Sequence, residues 1–289
     1  MTPQQEADQV TTDKLLLPDF IIIGAMKCGT TTLYRYLSEH PQIEMSREKE
    51  TDFFVSEKNW DKGIDWYCNQ FTRGDLVRGE ASPNYTKCRD FAGVPDRMVQ
   101  FCPDARLIYI VRDPVKRAES QFRHSFIMGT LDPELEGFAD SHEYKHIMDA
   151  SHYARQLDAY YEHYPKESIL VLDFDDLVRD PQAVMDEITT HIGVGELKIQ
   201  DIGAQNDSSE LSKVPAPILR FAQTRLGRNL ADLVSRETRD RIRRGLAFGK
   251  SRKAPDFPPD LIDRMRRDLA EDAKRFRELT GRPFSSWSV

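Results

Sequence analysis

Two short stretches of this chain hold the residues best suited to do chemistry. The first is Gly24-Ala-Met-Lys27-Cys28-Gly29-Thr30-Thr31-Thr32. Its glycines let the backbone approach an oxyanion closely, its hydroxyls donate hydrogen bonds, and its lysine neutralises charge. The second is Arg112-Asp-Pro-Val-Lys-Arg-Ala-Glu-Ser120. An arginine fork suits phosphate oxygens, and Ser120 adds a hydroxyl about two helical turns further on. Both stretches point to a ligand that carries phosphate. Each also has a plainer structural reading: an ordinary strand-to-helix turn capped by a threonine for the first, a salt-bridged corner for the second.

The first stretch differs from a Walker A loop in one informative way. That motif places lysine after the second glycine and follows it with Ser or Thr. Here Lys27 precedes Gly29 and three threonines follow. A nucleoside triphosphate with magnesium is therefore not the first expectation. Cys28 sits inside the loop as a small residue with no histidine placed beside it to make a reactive thiolate.

Both stretches need a strand behind them and a helix in front. Apolar runs at Phe20–Ile23, Leu76–Glu80, Arg106–Val111 and Ser168–Phe174 read as buried strands. Helical patterns fall at Thr31–His40, Pro95–Phe101, Val115–Phe126, Tyr153–Tyr164 and Pro181–Ile192. Pro114 suits a first helical turn, with Asp113 as its N-cap. This alternation predicts an α/β fold with a parallel sheet covered by helices on both faces, its ligand site along the edge of strand C-termini. After Gly193 the pattern changes. Polar, Pro-rich stretches at 200–217 and 249–260 frame basic amphipathic helices near 218–245 and 259–280, read as a helical cap on the sheet.

Composition bounds the rest. The chain has 289 residues, 39% of them hydrophobic, and no apolar run nears the roughly 20 residues of a membrane helix. The first 14 residues are polar without a signal-peptide core, and residues 1–17 read as a flexible arm. Four cysteines lack C-x-x-C spacing, which predicts no zinc site and fits a reduced, cytoplasmic setting. The net charge of −7 is uneven, with 19 Lys and Arg against 10 Asp and Glu from Lys213 onward. Paired charges on solvated helix faces account for that basic flank, and attraction of a polyanionic ligand is the functional alternative. Nucleic acid is not an expected partner for so acidic a chain. Oligomeric state has no signature here.

Taken together and in this order, the two stretches resemble the sulfotransferase family, whose second motif reads R-D-P-x-x-R-x-x-S. The resemblance covers roughly residues 18–289. Ile23-Gly-Ala-Met-Lys-Cys-Gly-Thr30, Lys49-Glu-Thr-Asp-Phe-Phe54 and the ending Leu279-Thr-Gly-Arg-Pro-Phe-Ser-Ser-Trp287 make it similar to the heparan-sulfate type and its bacterial relatives. It implies a P-loop-NTPase-like three-layer fold with a central parallel sheet, one domain over 18–289, and a C-terminal helical portion from about 213. It implies 3′-phosphoadenosine 5′-phosphosulfate (PAPS) as co-substrate and 3′-phosphoadenosine 5′-phosphate (PAP) as product. Lys27, Cys28, Gly29, Thr30, Thr31 and Thr32 would hold the 5′-phosphosulfate, and Arg112 and Ser120 the 3′-phosphate. Lys213 matches, by position, a mobile basic loop that closes over the nucleotide in relatives. No metal is implied, since sulfate carries less charge than a triphosphate.

The resemblance also assigns catalysis. Lys27 would face the departing phosphate, and Glu50 would be the base that takes the proton of an acceptor hydroxyl. His124, one turn beyond Ser120, is the rival base because histidine titrates near neutrality. The structural alternative for Glu50 is a salt bridge within the charged run Arg47-Glu-Lys-Glu50. Heparan-sulfate enzymes often carry a lysine after the glutamate of Gly79-Glu80, but this chain has Ala81. Either Lys87 compensates or the acceptor is bound differently, and Glu80 orients a cation or a hydroxyl. The implied acceptor is a hydroxyl on a carbohydrate, glycolipid or secondary metabolite. The rivals are a P-loop kinase or NTPase, which would need a lysine after Gly29, and a catalytically silent nucleotide-binding protein.

Overall fold

The computed structural model describes residues 15–131, 135–199 and 253–289. Five parallel strands form one sheet: β1 Phe20–Gly24, β2 Ile43–Met45, β3 Val77–Ala81, β4 Arg106–Val111 and β5 Ile169–Asp173. Their order is β2-β3-β1-β4-β5. Nine described helices accompany them: α1 Thr30–Ser38, α2 Gly63–Cys68, α3 Val94–Phe101, α4 Pro114–Met128, α5 His142–Asp149, α6 Tyr153–Tyr161, α7 Phe174–Arg179, α8 Pro181–Ile192 and α9 Pro259–Thr280. This is the P-loop-like α/β architecture expected from the alternating pattern.

Every residue of β1 is buried, as a central strand covered on both faces requires. Ile21, Ile22 and Ile23 are fully buried, each contributing on the order of 2 kcal/mol. β1 pairs with β3 from Phe20↔Gly79 and with β4 from Phe20↔Arg106. The chain leaves β1 toward β2 on one side, whereas β4 leads on to β5 on the other. Neighbouring strands β1 and β4 thus flank the topological switch point, where a crevice opens at the strand C-termini.

The described C-terminal residues pack into two apolar clusters, one against α4 and one on the sheet's own core. α9 packs against α4 and α6. Leu261, Met265 and Leu269 join Val115 and Phe122 of α4, while Phe276 meets Tyr109 and Tyr153 in edge and tilted ring contacts. Phe284 and Trp287 stack at 4.3 Å beyond it. The amphipathic pattern near 218–245 and Lys213 lie outside the described residues.

The four predicted strands form within a residue or so of their expected ends. β2 escaped notice because three residues on a sheet edge carry too little pattern. Helices α2, α5 and α7 were also unexpected. α5 begins at Ser141, whose hydroxyl accepts from Tyr144 N–H at 3.0 Å, and α7 at Asp173, whose carboxylate accepts from Asp175 N–H at 3.0 Å. These caps stabilise helices too short to show periodicity.

Gly79 is where the sheet is least tolerant. A Cβ there would stand 2.1 Å from the Phe20 ring. Gly79→Ala is expected to cost about 2–3 kcal/mol through forced repacking, read as a lowered urea midpoint. An unchanged midpoint would disprove this close approach.

Candidate functional site

The chain turns sharply after β1. Ala25 N–H donates to the Ile110 carbonyl at 2.6 Å, and Ser82 N–H donates to the Ile22 carbonyl at 3.1 Å. The turn is thereby tied to both neighbouring strands. Lys27 adopts φ 68° and Gly29 φ 90°, left-handed values that a glycine accepts and a lysine resists. Gly29 is the N-cap of α1, with no side chain capping it. The threonine cap allowed by the sequence does not form, and the first N–H groups of α1 remain directed at whatever lies beyond the turn. Thr30 is buried, Thr31 half-buried and Thr32 exposed.

Arg112 leaves β4 at the same edge. Asp113 caps α4 as expected, accepting from Val115 and Lys116 N–H at 2.9 Å each. The Tyr153 hydroxyl donates to the Arg112 carbonyl at 2.9 Å, and the guanidinium lies over the Phe174 ring at 4.7 Å. Arg112 Nε is buried with no hydrogen-bond partner among the described residues. Phe174 also backs the first loop, since a Cβ at Gly29 would meet its ring at 2.9 Å. One aromatic side chain, absent from the expected residues, therefore spaces the two anion-binding motifs. Only the position of Phe174 just past β5 hinted at this.

The second arginine of the Arg-Asp-Pro motif plays a different part. Arg117 is fully buried and donates to Ser151 Oγ and Gln121 Oε1 at 2.5 Å each, and to the Ile147 carbonyl. It fastens α4 to the α5–α6 connection. Ser120 and His124 lie one turn apart on the same helix, both half-buried. Cys28 is fully buried, and that burial pushes its thiol up to about 11, so it is a packing residue and not a nucleophile.

Glu50 reaches the site from the opposite side. Its N–H donates to the carbonyl of Ala81, the last residue of β3, at 3.0 Å. Glu50 and Asp52 both have left-handed backbone, φ 64° and 46°. Asn59 Nδ2 donates to the Thr51 carbonyl at 2.6 Å, and Asp52 N–H to Ser82 Oγ at 3.1 Å. Phe53 and Phe54 pack into an aromatic cluster with Trp60, Tyr67 and Tyr85. They anchor the segment in the core rather than lining a cleft around Glu50.

Electrostatics bring Lys27, Glu50 and His124 together. Burial lowers the Lys27 pKa; Glu50 opposes this, while Lys49 and Arg112 reinforce it. Burial also pushes His124 down to about 4, with Lys27 adding to the effect and Glu50 opposing it. His124 is therefore neutral at physiological pH, a departure from the near-neutral titration expected of histidine. For Glu50, desolvation pulls upward, but Lys49, Lys58 and Lys87 pull further down. Its side chain is 44% exposed and paired with Lys49, so solvent weakens the upward pull and the carboxylate is ionised. Among the described residues no group of His, Cys, Asp and Glu is arranged to hold a metal ion.

Glu80 is fully buried beneath this turn. It accepts from the Thr51 hydroxyl, while its Oε1 has no partner among the described residues. Glu80 thus supports the turn from below; the sequence had it orienting a cation or hydroxyl. A cavity of about 710 Å³ lies elsewhere, lined by Asp19, Arg78, Pro103 and Ala105 at the N-terminal edge of the sheet, and no predicted site residue lines it.

A family model described as "Sulfotransferase domain" matches residues 17–277. The chain is 27% identical over 203 residues to bifunctional heparan sulfate N-deacetylase/N-sulfotransferase 1 of Caenorhabditis elegans, covering 65% of this chain and 23% of that one. It is 28% identical over 187 residues to human heparan sulfate glucosamine 3-O-sulfotransferase 3B1, covering 62% and 46%. The chain thus spans less than half the length of the curated relatives it matches. A sulfotransferase from Alicyclobacillus acidocaldarius superposes with a TM-score of 0.67 at 24% identity, over 94% of this chain and 99% of that one.

Burial pushes Glu80 up to about 7 against the pull of the Thr51 hydroxyl and neighbouring tyrosine hydroxyls. Its ordinary value is near 4.5. Between those values the folded chain holds a proton that the unfolded chain has released, so rising pH drains stability. Glu80→Gln, which stays neutral, is expected to gain on the wild type from pH 4.5 to 7, by at most about 3 kcal/mol, and to level off above. Urea melts at pH 5 and 8 check this; an equal difference at both pH values would contradict a buried, proton-holding Glu80.

Proposed function

The chain belongs to the sulfotransferase domain family, and on that footing we propose that it moves the sulfuryl group from PAPS to an acceptor hydroxyl. The acceptor oxygen attacks sulfur in line, the bond from sulfur to the 5′-phosphate oxygen breaks, and PAP leaves. The observation that carries this reading is the pair of anion-binding motifs on β1 and β4, set at the switch point and spaced by Phe174.

The roles follow from position. Amides at the start of α1, the hydroxyls of Thr30 to Thr32, and Lys27 hold the 5′-phosphosulfate, with Cys28 and Gly29 shaping the turn. Arg112, with its free buried Nε, and Ser120 take the 3′-phosphate. Negative charge builds on the bridging oxygen in the transition state, and the fixed Lys27 ammonium opposes it without reorganisation. The binding of a polyanion offsets the burial and repulsion that lower the Lys27 pKa, keeping the ammonium protonated.

Glu50 accepts the acceptor's proton. It is ionised, lies within the electrostatic reach of Lys27, and sits on a separate segment from the nucleotide loops. His124 shares that field, but its lowered basicity suits it to lining the acceptor pocket. Lys213 remains a proposed nucleotide contact on the resemblance alone. We read 18–289 as one catalytic domain with a hydroxyl-bearing glycan, glycolipid or secondary metabolite as acceptor. No described helix is long and apolar enough to cross a membrane. The four cysteines, all free thiols, support a reduced, cytoplasmic setting.

Lys27→Ala and Arg112→Ala are each expected to weaken PAP binding at least about tenfold, as loss of a charge-assisted contact implies. Isothermal titration measures this beside ATP–magnesium, which is expected to bind more weakly; the reverse order would favour an NTPase. Glu50→Gln should leave PAP affinity intact and reduce sulfate transfer from labelled PAPS by about 10² or more. Should His124→Ala produce that loss and Glu50→Gln not, the proton acceptor is His124.

A further inference from the structure

Three consecutive residues after α9 reach the supports of Arg112. Ser288 N–H donates to Asp113 Oδ2 at 2.5 Å. The Trp287 ring packs against Tyr153 at 5.5 Å, and the Tyr153 hydroxyl holds the Arg112 carbonyl. Ser286 Oγ donates to Asp175 Oδ2 at 2.8 Å. Asp175 follows Phe174, the ring under the Arg112 guanidinium. Asp113, Tyr153 and Phe174 belong to the starts of three different helices, α4, α6 and α7, and residues 286–288 join all three. Their own place is fixed: Trp287 is buried, stacked on Phe284 at 4.3 Å and on Phe276 of α9 at 5.9 Å.

The bond to Asp113 is the most telling of these contacts. Asp113 is fully buried. Its Oδ1 alone accepts from both Val115 and Lys116 N–H, so the cap of α4 is complete without Oδ2. The bond from Ser288, 175 residues away in the chain, serves the orientation of Asp113 and not the helix. A buried carboxylate oxygen left without a donor is unfavourable. Loss of this N–H would turn Asp113, and one peptide bond joins Asp113 to Arg112. The Ser288 side chain is exposed, so the contribution is the backbone N–H. We propose that residues 286–288 form a clasp that positions Arg112 for the 3′-phosphate, with Ser288 N–H as its positioning contact. This rests on the assignment of Arg112 to the 3′-phosphate proposed above.

The test is isothermal titration of the full chain with PAP and with adenosine 5′-phosphate, which lacks only the 3′-phosphate. Wild-type protein is expected to prefer PAP at least about tenfold. Ser288→Pro, which removes the N–H, should weaken PAP binding at least about tenfold and leave adenosine 5′-phosphate binding unchanged. Ser288→Ala, the conservative variant, keeps the N–H and should retain the preference. Added to Arg112→Ala, Ser288→Pro should cost nothing further, because both act through one contact. PAP affinity retained in Ser288→Pro overturns the proposal, as does an equal loss for both nucleotides, the mark of a merely structural role. Asp113→Asn keeps an oxygen for the α4 cap but sets an amide against Ser288 N–H. It decides by the same outcomes where Ser288→Pro does not fold. Wild-type protein without a preference for PAP overturns the 3′-phosphate site itself, and with it the transfer reading.

Discussion

The hydrogen bond from Ala25 N–H to the Ile110 carbonyl is the contact on which the site depends. It joins the turn after β1 to the last part of β4, across the one gap where the sheet reverses its direction of growth. On one side of that gap stand Lys27 and the start of α1, on the other Arg112. Tyr153 fixes the Arg112 backbone from α6, and Phe174 fills the space between Arg112 and Gly29. The separation of the two anion-binding motifs is thus set by strand pairing and one aromatic ring, not by flexible loops. A spacing fixed in this way suits the two phosphate groups of the proposed donor.

Charge is the second constraint, and it follows from the first. Converging strand ends bring Lys27 and Arg112 into one field with Lys49, and burial adds desolvation. Lys49 and Arg112 both disfavour the Lys27 charge, and burial together with Lys27 lowers the affinity of His124 for a proton. Glu50 shows the opposite balance, because Lys49, Lys58 and Lys87 stabilise its charge. A polyanionic donor reverses the repulsion among the cations on arrival. The electrostatic strain of the unliganded protein and its affinity for the donor are therefore two views of one arrangement.

The two motifs proposed to bind anions were legible because their chemistry is local. Glycine, lysine and hydroxyls in one turn, and Arg-Asp-Pro at a strand end, carry their meaning in neighbouring residues. The strands were legible as short apolar runs, and Asp113 as a cap. What the sequence hid was made by packing across distance. Phe174 reads as the end of a strand, yet it spaces the two motifs from α7. Phe53 and Phe54 follow Glu50 in one motif, yet they are sunk among Trp60, Tyr67 and Tyr85. Glu80 follows a strand pattern and gives no sign that it holds the Thr51 hydroxyl from below. The sign of the Glu50 pKa shift required knowing which lysines converge on it, and that is a property of the fold.

The backbone records the same division. Lys27, Glu50 and Asp52 are three of the four described non-glycine residues in the left-handed region. Such conformations cost on the order of 1 kcal/mol or more each and persist only when their surroundings fix them. At Lys27 the fixing elements are β1, β4 and the packed face of Cys28 against Tyr153. At Glu50 and Asp52 they are the Ala81 carbonyl, Ser82, Asn59 and the buried Glu80. Neither turn could relax without losing hydrogen bonds to a strand end. Lys27 and Glu50, proposed to face the leaving group and the acceptor, are consequently held by opposite neighbours in the strand order, β4 and β3, with β1 between them. Moving either neighbour relative to β1 would change the distance between Lys27 and Glu50, so the register of three parallel strands sets that geometry.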